Sequence, residues 1–454
     1  MTALWFETAL LPTGWAERVR MEIADGMFLV VKSGVNPEPG DARHGIAIPG
    51  LCNVHSHAFQ RGMAGLSEHR GAPETNGGDD DFWSWREVMY RFLDRLHPED
   101  IEAITGLAYA EMLQSGYTRV GEFHYLHNAP DGSRYDDPAE TATRVVAAAE
   151  TTGIGLTLLP VFYAHSDFGG MPPKPGQCRF LSDLDGFAVL LSASAPLLRE
   201  GDIMGVAPHS LRAVTADELA ALLVMRQDGP VHIHAAEQVK EVEASIAWSG
   251  ARPVEWLLDH AKVDARWCLI HATHLTEAET DALARSGAVA GLCPVTEANL
   301  GDGIFPAERY LAAGGAIGTG TDSNILIDAA GELRMIEYSQ RLAHRARNVL
   351  ATPGTSTGAR LFRAALDGGA QALGIAPGIV AGAPADIVAL DPAHDALVER
   401  KGDLLLDGWI FAGGAACIDS VWSGGRRTVA DGRHVRADEI AARYRRTIAK
   451  LLAT

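Results

Sequence analysis

Apolar and polar positions follow two rhythms along this chain. Over residues 1–48 they form short alternating stretches; MEIADGMFLVVKSG (21–34) alternates and ends in a glycine turn, which predicts a hairpin. From residue 49 short β-branched runs take turns with longer Ala/Leu/Glu-rich stretches. Eight runs read as strands: LCNVHSH (51–57), TRVGEFHYLH (118–127), GLTLLPVFY (155–163), IMGVAPHS (203–210), PVHIHAA (230–236), WCLIHATH (267–274), AVAGLCPVT (288–296) and AIGTGTD (316–322). Helical stretches separate most of them, at 98–116, 137–153, 215–227, 239–250 and 276–287, with acidic residues near their starts and glycine at several ends. Strands alternating with helices make a parallel sheet, and eight such units close into a barrel. After about 375 the pattern returns to strands and Gly/Pro turns (374–392, 418–432), then one amphipathic helix (436–452). The expected fold is α/β: a (β/α)8 TIM barrel at 49–375, with a small β-sandwich domain formed by segments 1–48 and 376–435 and a C-terminal helix over 436–454.

The length of 454 residues fits a barrel of about 250 residues plus a smaller domain. Hydrophobic residues make up 47% and charged residues 21%, a globular balance that excludes disorder and collagen. The net charge of −19 argues against nucleic acid or an anionic membrane as partner. It leaves room for a small anionic substrate met by local arginines. Five widely spaced cysteines without a CxxC predict no disulfide framework or cysteine zinc cluster, and a reducing cytoplasm is the simpler setting. No signal peptide is expected, and the longest apolar run, around 153–165, is too short to span a bilayer. Two insertions after strand ends, 68–86 and 165–183, read as lids over a barrel mouth or as surface excursions.

Candidate chemistry gathers at strand ends, where a parallel barrel carries its active site. His55 and His57 end the first strand, His232 and His234 the fifth, His271 and His274 the sixth, and Asp322 the eighth. The two-residue spacing puts His55 and His57 on one face of a strand, so both can bind one metal. Imidazole and carboxylate ligands suit zinc with an open position for water, though iron, nickel or manganese fits the same set. Either His232 or His234 can serve as ligand; His234 is preferred, with Glu237 as proton carrier. Glu237 also reads as a helix N-terminal carboxylate, and Asp322 as a helix N-cap. With the histidines nearby, a carboxylate on metal-bound water is favoured for Asp322. His274 reads as a supporting or structural residue.

These motifs resemble the amidohydrolase superfamily: NVHSH after the first strand, HAAE at the fifth, IHATH at the sixth, GTDSN at the eighth, and GAPADIVALD in the returning β segment. No lysine stands at the fourth strand end, where APHS occurs, so the resemblance implies the one-metal deaminase branch rather than a carbamylated-lysine pair of metals. Within that branch HSHAFQRGMAGL (55–66), FWSWREVMYR (82–91), GYTRVGEFHYLH (116–127) and APHSLRAV (207–214) resemble the formimidoylglutamate deiminase family of bacterial histidine degradation.

That resemblance implies hydrolysis of N-formimidoyl-L-glutamate to N-formyl-L-glutamate and ammonia by zinc-activated water, with one Zn2+ per subunit of a homodimer. It implies His55, His57, His234 and Asp322 as metal ligands, and Glu237, His271 and Asp322 as the catalytic groups. Gln60, Arg86, Tyr125, His209 and Arg212 fall on substrate-contacting positions. Arginine forks suit the substrate's two carboxylates; Arg86 otherwise reads as a surface helix charge, and Phe82, Trp83 and Trp85 beside it as core. The rivals are a deaminase of guanine or another aminoheterocycle, and a non-catalytic barrel that kept the scaffold.

Overall fold

The computed structural model describes residues 2–69 and 82–453. Four strands open the chain: β1 (Thr2–Leu11), β2 (Gly14–Ala24), β3 (Met27–Lys32) and β4 (Ala42–Pro49). The hairpin between β2 and β3 turns at Asp25 and Gly26, both at positive φ (48° and 76°), a turn whose twist matches its strands. Four strands from the other end of the chain join them: β14 (Ile387–Leu390), β15 (Ile418–Ser423), β16 (Arg426–Ala430) and β17 (Arg433–His434). The junction is β14 lying antiparallel on β4. The result is one mixed sheet ordered β17-β16-β15-β14-β4-β1-β2-β3. It curls on itself, because Phe28 N donates to Ala383 O and Ala385 N to Gly26 O. Leu4, Phe6, Val19, Met21, Phe28, Ile387 and Trp422 fill the space inside that curl.

The barrel strands are β5 (Leu51–Ser56), β6 (Tyr117–His124), β7 (Gly155–Phe162), β8 (Ile203–Met204), β9 (Ala207–Pro208), β10 (Val231–Ala235), β11 (Trp267–His271), β12 (Val289–Leu292) and β13 (Ala316–Thr319). All pair in parallel, and their side chains are nearly all buried, as expected of strands covered on both faces. The fourth barrel strand is broken into β8 and β9, both against β7. The break holds Gly205, where an added Cβ would lie 2.5 Å from the Pro230 carbonyl. Bridges Val206–Val231 and Ser210–His234 then close the ring onto β10, and Thr319–Asn53 closes β13 onto β5.

Helices Pro98–Ser115, Glu140–Thr152, Ala216–Met225, Val239–Ser249 and Glu277–Ser286 stand where the sequence predicts them. Gly116, Gly153, Gly250 and Gly287 end four of them in the left-handed region, which glycine enters without steric cost. Thr215 and Thr276 start the helices Ala216–Met225 and Glu277–Ser286 with capping boxes. The helix Thr357–Leu373 plugs the floor of the barrel, its last carbonyls accepting from Thr157 and His232.

Two stretches differ from expectation. The run AVAGLCPVT stays extended only to Leu292, because Pro294 is fixed for the first turn of a helix, Pro294–Leu300. Residues 82–86 belong to a helix, Phe82–Leu93, rather than to a loop; Phe82, Met89, Phe92 and Leu93 form its buried face. Residues 70–81 of that expected lid lie outside the described residues. The second insertion, 165–183, is a packed wall: His127 and Asn128 N–H groups donate to Arg179 O, and Ser182 N to Tyr163 O. Among the described residues no helix is long and apolar enough to cross a membrane.

Candidate active site

Four ligand-type atoms converge at the C-terminal mouth of the barrel. The Nε2 atoms of His55 and His57 are 3.2 Å apart, and His234 Nε2 is 3.1 Å from His55 Nε2. Asp322 Oδ1 lies 3.4 Å from His55 Nε2 and 3.3 Å from His57 Nε2. The main chain locks this arrangement, since His57 N donates to Asp322 O and Asp322 N to His55 O. Gly320 permits that approach; an added Cβ would meet His55 backbone oxygen at 2.8 Å.

The tautomers are set from behind. His57 Nδ1 donates to Phe123 O (3.1 Å) and His234 Nδ1 to His209 O (3.0 Å), so both Nε2 lone pairs face inward. Burial, with neighbouring imidazoles, drives His55 and His234 well below the usual histidine range. Burial also lowers His57, against the pull of Asp322. Neutral imidazoles and a carboxylate aimed at one point repel one another unless a cation lies between them. Four distances within the set, 3.1–3.4 Å, are those of ligands that share one ion at about 2.0–2.1 Å. The donor set therefore fits one divalent ion.

Beside this cluster stands His271, whose Nε2 is 3.8 Å from both Glu237 Oε1 and Asp322 Oδ2. Its Nδ1 is 3.2 Å from Glu297 Oε1. Burial works against charging His271, but Glu237, Glu297 and Asp322 outweigh it and raise the group to about 10. Burial pushes Glu237 up to about 7, opposed by His271. Asp302 rises to about 9 through burial and then Glu237, while its Oδ1 accepts from Gln238. His271 and Asp322 both carry positive φ (66° and 44°), backbone strain concentrated at the two strand ends that carry this chemistry.

A pocket with a cavity volume of about 60 Å³ opens from the cluster, and His57, Asp322, Glu237 and His271 are among its lining residues. Gln60, Arg86, Tyr125, His209 and Arg212 all line it too, so the expected substrate positions share one space. Gln60 Nε2 donates to Tyr125 Oη (2.9 Å), while its Oε1 is buried without a partner. Arg212 is held charged by Glu241 and Glu237 against the cost of burial. The pocket lining thus combines carboxylates with guanidinium groups and with the rings of Phe82, Trp85 and Tyr90, Arg86 lying 5.7 Å from the Tyr90 ring centroid.

His232 faces inward like His234 but one layer lower; its Nε2 donates to Ala372 O at the barrel floor (2.8 Å). His274 lies outside the pocket lining. Sequence reasoning missed Glu297 and Asp302, because both follow β12, a strand end without histidine. The Cys-Pro step that begins the helix carrying Glu297, just before Asp302, was the available signal.

The sequence pattern of the amidohydrolase family covers residues 46–428, and that of the formimidoylglutamate deiminase HutF N-terminal domain covers residues 1–45. The chain belongs to the amidohydrolase family. It is 49% identical over 457 residues to a formimidoylglutamate deiminase of Pseudomonas aeruginosa, covering 100% of both chains, and stands with that group of amidohydrolases. A crystal structure of an amidohydrolase from Brucella melitensis superposes with TM-score 0.95 at 53% identity over 100% of both chains. An adenosine deaminase from Xanthomonas campestris, solved with bound zinc, shares the fold (TM-score 0.81, 22% identity, 100% and 99% covered).

Proposed function

We infer that this protein deiminates N-formimidoyl-L-glutamate, releasing N-formyl-L-glutamate and ammonia, a step of histidine degradation. The observation that carries this reading is the charge of the pocket: the carboxylates of Glu237 and Asp322 and the guanidinium groups of Arg86 and Arg212 line one space. An amidine is a strong base and is cationic at neutral pH. The substrate therefore carries a positive head and two carboxylates, the reverse image of the pocket. Identity of 49% along the full length of the Pseudomonas aeruginosa enzyme supports the same reading.

A zinc ion held by His55, His57, His234 and Asp322 supplies, when bound, the Lewis acidity that makes water nucleophilic near neutral pH. Asp322 takes a proton as water attacks the formimidoyl carbon. Glu237 delivers a proton to the nitrogen that leaves as ammonia. His271 donates a hydrogen bond to the attacking oxygen at the tetrahedral carbon. Arg86 and Arg212 hold the carboxylates, with Gln60, Tyr125 and His209 shaping the space between, so that the reacting carbon is fixed at the cluster. The reading extends to a cytoplasmic homodimer; five unpaired cysteines suit a reducing compartment.

The test is ammonia release from N-formimidoyl-L-glutamate by metal-replete protein, beside guanine and N-formimidoylglycine. Fast release from the glutamate compound is expected. Release from guanine instead would favour an aminoheterocycle deaminase, whose neutral substrate has no use for two guanidinium groups.

A further inference from the structure

Trp83 is the second residue of the helix Phe82–Leu93 and is half-buried. Cations from three segments lie over its indole. Arg86 Cζ is 4.5 Å from the ring centroid, Arg212 Cζ 5.8 Å and Lys240 Nζ 6.0 Å, all within cation–π range. Arg86 sits one turn along the same helix. Arg212 follows β9 across the barrel mouth, and Lys240 opens the helix Val239–Ser249.

Such a gathering is costly in itself. The two guanidinium groups of Arg86 and Arg212, both facing this ring, repel one another. Burial of Arg212 adds to the cost, and its Nε is enclosed without a hydrogen-bond partner. The negative face of one indole offsets part of this repulsion from a shared position. An anion between the guanidinium groups would offset more. Arg86 and Arg212 line the pocket while Trp83 and Lys240 stand outside its lining, so the ring acts through the arginines.

We propose that Trp83 is the positioning residue for carboxylate recognition here: its indole seats Arg86, Arg212 and Lys240 together and sets the preference for a dicarboxylate over a monocarboxylate substrate. The proposal rests on the function proposed above. Without the ring the two arginines lose their common anchor, and the second carboxylate loses its binding partner. The formimidoyl group, bound at the far end of the pocket, is not affected.

The test compares N-formimidoyl-L-glutamate with N-formimidoylglycine in holoenzyme carrying Trp83→Leu, which keeps an apolar side chain and removes the aromatic face. KM for the glutamate compound should rise about tenfold or more, with kcat within about threefold. KM for the glycine compound, which offers the arginines one carboxylate instead of two, should rise less, so the preference between the two narrows. Trp83→Phe, which keeps a ring, should restore most of the preference, and it carries the test if the leucine variant does not fold. Equal losses on both substrates would mean that the ring only packs, and would overturn the proposal, as would an unchanged KM. Calorimetric titration with N-formyl-L-glutamate separates the two readings. A wild-type protein that binds this dicarboxylate but releases no ammonia from the glutamate compound defeats the proposed function. A variant that binds it as tightly as wild type defeats the role of Trp83.

Discussion

His271 Nδ1 stands 3.2 Å from the carboxylate of Glu297, and this contact decides which of its nitrogens faces the pocket. Glu297 is itself held, since the same oxygen accepts from Cys293 N at 2.8 Å. Val295 N, in the same short helix, donates to the buried Glu332 at 3.0 Å. A charged imidazole at this position needs its carboxylate partner. Glu297→Gln keeps the shape and the backbone contact but removes the charge. Turnover should fall roughly 10–100-fold, the usual effect of losing an orienting carboxylate. Metal content and thermal midpoint should stay near wild type. Steady-state kinetics beside elemental analysis checks this; unchanged kcat would remove Glu297 from the mechanism.

In the proposed reaction Glu237 delivers the proton to the leaving nitrogen. Burial raises it to about 7, opposed by His271, a value suited to giving and taking protons at neutral pH. Glu237→Gln should bind metal normally and lose roughly 10²–10⁴-fold in kcat, the range for a general acid–base group. The loss should fall on kcat rather than KM, because the arginines that hold the carboxylates remain. A variant with full metal and near-normal kcat would place the proton shuttle elsewhere.

The barrel and its metal cluster were legible because both depend on periodicity. Strands of period two ending in histidine put His55, His57 and His234 at one mouth, where Gly320 lets the backbone before Asp322 approach His55 closely. Helix starts at Thr215 and Thr276 and stops at Gly250 and Gly287 were readable from local capping chemistry. What sequence could not supply was tertiary. The helix carrying Arg86 has a buried face defined only by what it packs on, and its tryptophan gathers cations from distant segments. Glu297 and Asp302 reach the surroundings of Glu237 and His271 only because the chain after β12 folds back toward them. His232 and His234 are equivalent by spacing and differ only by depth in the barrel, which a linear pattern does not encode.

Stability should depend on pH through a histidine remote from the metal cluster. His127 is buried, its Nε2 donates to Val161 O at 2.8 Å, and burial lowers it to about 4. Between about pH 6.5 and 4 the unfolded chain takes up a proton there and the folded chain does not. Its contribution is complete above about pH 6.5 and declines as pH falls toward 4, by up to roughly 3 kcal/mol. His127→Gln, which can still donate to Val161 O, should flatten that part of the curve. Denaturant unfolding at pH 4.5, 5.5 and 7 would measure it. Parallel slopes for variant and wild type would assign the acid sensitivity to other groups.

The two histidines of β10 offer the sharpest test of the metal assignment. His234 Nε2 is 3.1 Å from His55 Nε2, with its own Nδ1 tied to His209 O, so it has one lone pair and one direction to use it. His232 spends its Nε2 on the Ala372 carbonyl at the barrel floor. His234→Ala should therefore lower bound metal well below one ion per chain and abolish turnover together with it. His232→Phe should keep the ion and leave the Ala372 carbonyl unpaired, which costs about 1–3 kcal/mol of folding stability. In wild type, removing metal with a chelator leaves three imidazole nitrogens and a carboxylate facing one another, so the thermal midpoint should drop and recover when zinc is restored. Elemental analysis after gel filtration, beside thermal unfolding with and without chelator, reads all three outcomes. An ion retained in His234→Ala and lost in His232→Phe would reverse the assignment of these two residues.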